Sequence, residues 1–159
     1  MYRPGLVITL LVLVVDQLSK WWLTGLLSAH PGGLRLAPFF NLVPVWNRGV
    51  SFGMFNSAAG DQRWWLIGLA LLMVVALLIW LGRISRPYLA GAVGMIIGGA
   101  LGNVVDRLRF GAVADFFDFH LAGWHWPAFN IADSAIVLGV AVLLIDSLFG
   151  GSERAKTTP

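Results

Sequence analysis

Asn130 and Asp133 stand three residues apart near the start of an apolar stretch, Ala128 to Phe149, and the same spacing recurs as Asn103 and Asp106 at the end of the preceding one. Asp115 lies in the short segment between them. A carboxylate in hydrocarbon costs at least ~2.5 kcal/mol, so acids so placed are kept for a purpose. On a helix, residues three apart share a face, so the three carboxyls converge on one membrane face. Two carboxyls held together do not both ionise readily; one takes a proton from water while the other gives its proton to a carbonyl oxygen. That is the chemistry of an aspartic peptidase, and Asp115 with Asp133 is the pair that fits it, one on a loop and one at the top of the last helix. Two alternatives stay open: buried structural acids bonded to Asn103, Asn130 or Arg107, and ion or proton binding.

Other polar groups have plainer readings. Asp16 and Lys20 stand at i and i+4 in the favourable order, which suits an intrahelical ion pair as well as a part in shaping the site. Asp106 beside Arg107 suggests a pair that pins the end of the third helix, and Asp146 near the last span's far end is expected to snorkel. Gly49-Val50-Ser51-Phe52-Gly53 matches the G-x-S-x-G pattern of serine hydrolases. That elbow needs an α/β sheet, which four spans leave no room for, so a serine-type peptidase using Ser51 stands only as a runner-up. His120 and His125 lack the spacing of a metal site. With no cysteine in the chain, thiol nucleophiles, disulfides and thiolate metal sites are excluded.

The elements that must position these groups are membrane spans. Of 159 residues 58% are hydrophobic and 12% charged, and the mean hydropathy is +0.78, too apolar for a soluble domain of this size. The net charge of +3 is scattered over ends and loops, with no basic stripe for a nucleic acid. Four stretches reach the ~20 residues that a bilayer demands: 5–27, 64–81, 88–105 and 128–149. Arg3 before an apolar run resembles a signal peptide, but no small-residue cleavage site follows, and Asp16 and Lys20 interrupt the run. The expectation is a mainly α, polytopic membrane protein forming a single membrane domain, 1–159. Loops 28–63 and 106–127 face outward; the turn 82–87, the tail 150–159 and both termini are cytoplasmic. This orientation follows from the density of Arg3, Arg83, Arg86, Arg154 and Lys156 on short segments.

Polarity is lopsided. In the cytoplasmic halves of the spans, Leu6 to Val15, Leu71 to Leu81, Tyr88 to Ile97 and Val137 to Ile145 carry no charged side chain, whereas Asp16, Lys20, Asn103, Asp106, Asn130 and Asp133 all fall in the outward halves. A through-membrane path needs polar groups at every depth, so this is a site entered from one leaflet and the adjacent water. Leu34-Arg35-Leu36 and the run Phe39 to Trp46 have strand character, predicting a small β-cradle on the outer face. The second loop, with Trp124 and Trp126, is expected to dip into the headgroups. Gly94, Gly98 and Gly102 form a small-residue stripe for close helix packing.

Five blocks then coincide with a known pattern: Asp16-Gln17-Leu18-Ser19-Lys20, Asn47 to Gly53, Gly99 to Arg107, Val113 to Phe119, and Pro127 to Ser134. On these, over almost its whole length, the chain resembles the lipoprotein signal peptidase, or signal peptidase II, family. The resemblance implies an aspartic endopeptidase of the bacterial inner membrane. Such an enzyme removes the signal peptide of prolipoproteins, cutting on the N-terminal side of a diacylglyceryl-modified cysteine. It assigns Asp115 and Asp133 to catalysis and Asp16, Asn47, Asn103, Asp106 and Asn130 to site support; Lys20, Gly49 and Arg107 complete the candidate set. Expected partners are the lipidated prolipoprotein and membrane lipids, with no cofactor, metal ion or nucleic acid. A non-enzymatic ion- or lipid-binding membrane protein is the other alternative. One departure is Ala114, where a larger aliphatic residue is expected before the catalytic aspartate.

Overall fold

A computed structural model describes residues 2–49 and 62–149. Four helices are long and apolar enough to cross a membrane: α1 (Tyr2–Ser28), α2 (Gln62–Leu81), α3 (Pro87–Phe110) and α4 (Ile131–Phe149). Most of the leucine, valine and tryptophan on α1, α2 and α4 is exposed, as suits helices that face lipid. α3 is the exception. It is buried along most of its length, and α1, α2 and α4 all pack on it.

Glycine makes α3 the hub. A Cβ at Gly98 would lie 2.7 Å from the Thr9 carbonyl oxygen of α1, and one at Gly94 would strike the backbone of Gly5. Thr9 donates its hydroxyl to the Gly94 carbonyl at 3.0 Å across this seam. The opposite face of α3 is equally close to α4, where Gly99 meets Ala132, and Gly139 of α4 meets the Ala92 carbonyl. With no hydrophobic force between helices in lipid, such close approach supplies the packing.

Three helix ends lie three or more residues from the bounds of the apolar stretches, α1 starting already at Tyr2. α3 continues past residue 105 to Phe110, because helical bonding persists through Arg107 and Arg109 until Gly111 closes it in the left-handed conformation (φ 74°), donating to the Arg107 carbonyl. Asp106 and Arg107 thus belong to the helix. α4 begins at Ile131, after residues 128–130 have served the sheet and the cap.

At one end of the bundle, the two loops join into one antiparallel sheet, in the order β1 (Leu34–Ala37), β2 (Phe40–Asn47), β3 (Val113–Leu121), β4 (Trp124–His125). The first loop alone was expected to form strands; the second, expected to dip into the headgroups, supplies β3 and β4. β2 pairs with β3 through Phe40↔Phe119 and Val45↔Asp115, with an irregularity where Pro44 lacks an N–H. A two-residue turn, Ala122-Gly123, joins β3 to β4, both residues at positive φ. Phe129 exchanges backbone hydrogen bonds with Phe117, fixing the chain just before α4. The sheet rests on Leu23 and Leu27 of α1 through Leu42, Ala114 and Phe116.

Candidate active site

Asn130 precedes α4 as its N-cap. Its Oδ1 accepts the Asp133 N–H at 2.9 Å, and Asp133 Oδ2 accepts the Asn130 N–H at 3.3 Å, a reciprocal capping box. The spacing of three thus reflects a cap, not a shared helical face. Asp16 of α1 completes the end by accepting the Ala132 N–H at 2.9 Å. The local sequence therefore fixes the Asp133 carboxylate at the positive end of α4.

Asp115 enters from β3, 1% exposed. Asn130 Nδ2 donates to its Oδ1 at 2.7 Å and Asn47 Nδ2, from the end of β2, to its Oδ2 at 3.2 Å. Asn103 of α3 donates to Asp133 Oδ1 at 2.8 Å. The amides are crossed: the NH₂ of Asn130 serves Asp115 and that of Asn103 serves Asp133, each the acid of another element. Burial, and then the charge of nearby Asp133, push the Asp115 carboxyl up to about 7, against the opposing hydrogen bonds from Asn47 and Asn130 and the charge of Lys20. Two acids in electrostatic contact, one of them holding a proton near neutrality, can divide base and acid roles.

Behind this pair, the Lys20 ammonium bridges Asp16 and Asp106, each at 2.9 Å. The expected Asp16–Lys20 pair is present. Asp106 turns to Lys20, and to Gln17 and the Ala114 N–H, instead of to Arg107. Adjacent residues of a helix point about 100° apart, so the two cannot share a face. Arg107 donates instead to the Gly49 carbonyl at 3.1 Å, and Asn47 Oδ1 accepts the Gly49 N–H at 3.1 Å, so both hold the segment leaving β2. Ala114 is buried, its N–H and carbonyl bond Asp106 and Asn130, and it lines two cavities of about 330 and 320 Å³. Gln17, which sequence reasoning passed over, reaches both Asp16 and Asp106; its place one residue after Asp16 was the only signal.

The remaining expectations fall elsewhere. Ser51 and the tail 150–159 lie outside the described residues. His125 bonds Asp118 at 2.8 Å and stacks on His120; no cluster of three metal-binding side chains occurs among the described residues. Asp146 pairs with Arg86 at 2.7 Å, so at the bundle's far end it has a fixed partner beyond any snorkelling. Beside Asp133 opens an apolar groove of about 520 Å³, lined by Trp126, Pro127, Ala128, Phe129, Val137 and Leu138.

A family profile described as signal peptidase (SPase) II matches residues 8–149. The lipoprotein signal peptidase of Methylorubrum extorquens (strain PA1) is 48% identical over 150 residues, covering 92% of this chain and 86% of the relative. That of Methylobacterium radiotolerans is 44% identical over 161 residues, covering 99% and 93%. A bacterial membrane enzyme solved by the in meso method at 2.3 Å superposes with a TM-score of 0.79 at 26% identity, covering 98% of this chain and 93% of that one.

Proposed function

The chain belongs to the signal peptidase II family and removes signal peptides from prolipoproteins in the bacterial inner membrane, and we propose that it does so as an aspartic endopeptidase through Asp115 and Asp133. The observation that carries this reading is the pairing of a buried acid, held protonated to about pH 7, with a second, half-buried acid beside an apolar groove. Asp133 takes a proton from water as the oxygen adds to the scissile carbonyl, and Asp115 gives its proton to the carbonyl oxygen. Asp133 then protonates the leaving nitrogen as the C–N bond breaks, and the proton of the gem-diol returns to Asp115. Asn47, Asn103 and Asn130 hold the carboxyls; Arg107 and Gly49 steady the segment leaving β2. The groove suits the apolar parts of a substrate cut on the N-terminal side of a diacylglyceryl-modified cysteine, and that end of the bundle faces outward, leaving both termini cytoplasmic.

The test is cleavage of a synthetic diacylglyceryl prolipoprotein by purified wild type, Asp115→Asn and Asp133→Asn. Each variant inserts normally and loses ~10²- to 10⁴-fold or more in rate; full activity in either sinks the dyad. Ser51→Ala keeps substantial activity, and covalent capture of Ser51 by a serine-directed reagent would instead favour the serine-type alternative.

A further inference from the structure

Lys20 has no part in these proton transfers, yet it is 4% exposed and its ammonium meets three acceptors: Asp16, Asp106 and, at 3.1 Å, Asn103 Oδ1. An ammonium only donates. The Asn103 atom facing it is therefore the carbonyl oxygen, which turns the NH₂ towards Asp133 Oδ1 at 2.8 Å and makes that carboxyl oxygen an acceptor. Asn130 is oriented independently. Its Oδ1 accepts the Asp133 backbone N–H, so its NH₂ donates to Asp115 Oδ1 at 2.7 Å. Both Oδ1 atoms thus receive an amide proton in the shortest contacts of the site, and the looser contacts, 3.2 and 3.3 Å, fall on the two Oδ2 atoms.

We propose that Lys20 is a positioning residue: through Asn103 it sets the direction of hydrogen bonding at Asp133 and so confines the proton shared by the dyad to the Oδ2 oxygens. The proposal rests on the dyad reading above. Without Lys20, Asn103 Oδ1 keeps only the longer contact from Asn130 Nδ2 at 3.3 Å, a group already shared with Asp115 and the Ala114 carbonyl; the amide then turns its oxygen to Asp133 more readily, and a carboxyl oxygen facing a carbonyl must carry a proton. Asp133 would then hold the proton it has to remove from water, and on the wrong oxygen.

The charged groups around this path are Asp16 from α1, Asp106 and Arg107 from α3, and Asp115 from β3, so loss of Lys20 also changes the local charge. Lys20→Met is therefore compared with Lys20→Met/Asp16→Asn, which restores the wild-type net charge, and with Asp16→Asn as control, in the full-length protein with the lipidated prolipoprotein. In both Met variants kcat falls ~10-fold or more while KM changes little. The pH–rate profiles of both Met variants depart from that of the Asp16→Asn control. A profile in the charge-balanced variant that coincides with the Asp16→Asn control makes Lys20 a counter-ion only and overturns the proposal; so does failure of both Met variants to fold. Full activity in Asp115→Asn or Asp133→Asn is a different failure, that of the dyad itself.

Discussion

At the scale of single residues, the two acids of β3 show how environment divides like groups. Asp118 feels burial that would raise its pKa, but hydrogen bonds from Asn41 and His125 outweigh it and hold the carboxyl below its ordinary range. Asp115, with burial and the Asp133 charge acting together, is pushed up to about 7. The sign for activity follows. The proton that the proposed mechanism takes from Asp115 is present below about pH 7 and lost above it, so kcat/KM in detergent solution is expected to fall about tenfold per pH unit on the alkaline side. Asn47 stabilises the ionised form of Asp115, so Asn47→Ala moves this alkaline limb upward. A hydrogen bond to a charged group is worth about 1.5–3 kcal/mol and a pKa unit about 1.36 kcal/mol, which makes the move about one to two units; a limb that stays or moves down refutes the assignment to Asp115. That the acids gather at one depth was legible, because charge is expensive in a span. Which amide serves which acid was not, since the contacts run between elements, and spacing along one helix carries no record of them.

At the scale of elements, the bundle depends on how closely α1 and α4 approach α3. Gly98→Ala places a methyl 2.7 Å from the Thr9 carbonyl and 2.8 Å from Val12 Cβ, neither of which yields cheaply. It is expected to cost about 1–3 kcal/mol, read as a lower unfolding midpoint. Gly68→Ala on α2, where nothing lies within 4 Å, is neutral or gains up to ~1 kcal/mol of helix propensity in the same assay. The stripe Gly94, Gly98 and Gly102 could be read in advance because a spacing of four marks one face. Gly99 could not: its seam with α4 is completed by Gly139, forty residues away, and no local period links them. The extension of α3 to Phe110 was equally hidden, because hydropathy reports where lipid stops and backbone bonding runs on to the first residue that closes it.

At the scale of the whole molecule, the sheet and the acids share one end of the bundle, and the wild-type chain has no cysteine to confuse a labelling experiment. A single cysteine at Leu121, 76% exposed on the hairpin, reacts with a membrane-impermeant maleimide added outside intact inner-membrane spheroplasts, and one at Gly82 does not. The reverse pattern would invert the proposed orientation. The four spans were legible because length and apolarity define them almost alone. The sheet was half legible: β1 and β2 carry alternation and turn residues, whereas β3 is aromatic on both faces and finds its place only against β2. That pairing also sets an order in biosynthesis. Val45 waits for Asp115 while two further crossings are threaded, and Asp133 arrives with the last. A nascent chain therefore cannot assemble the proposed dyad until α4 has followed α2 and α3 into the bilayer, so topology itself delays the pairing of the two acids.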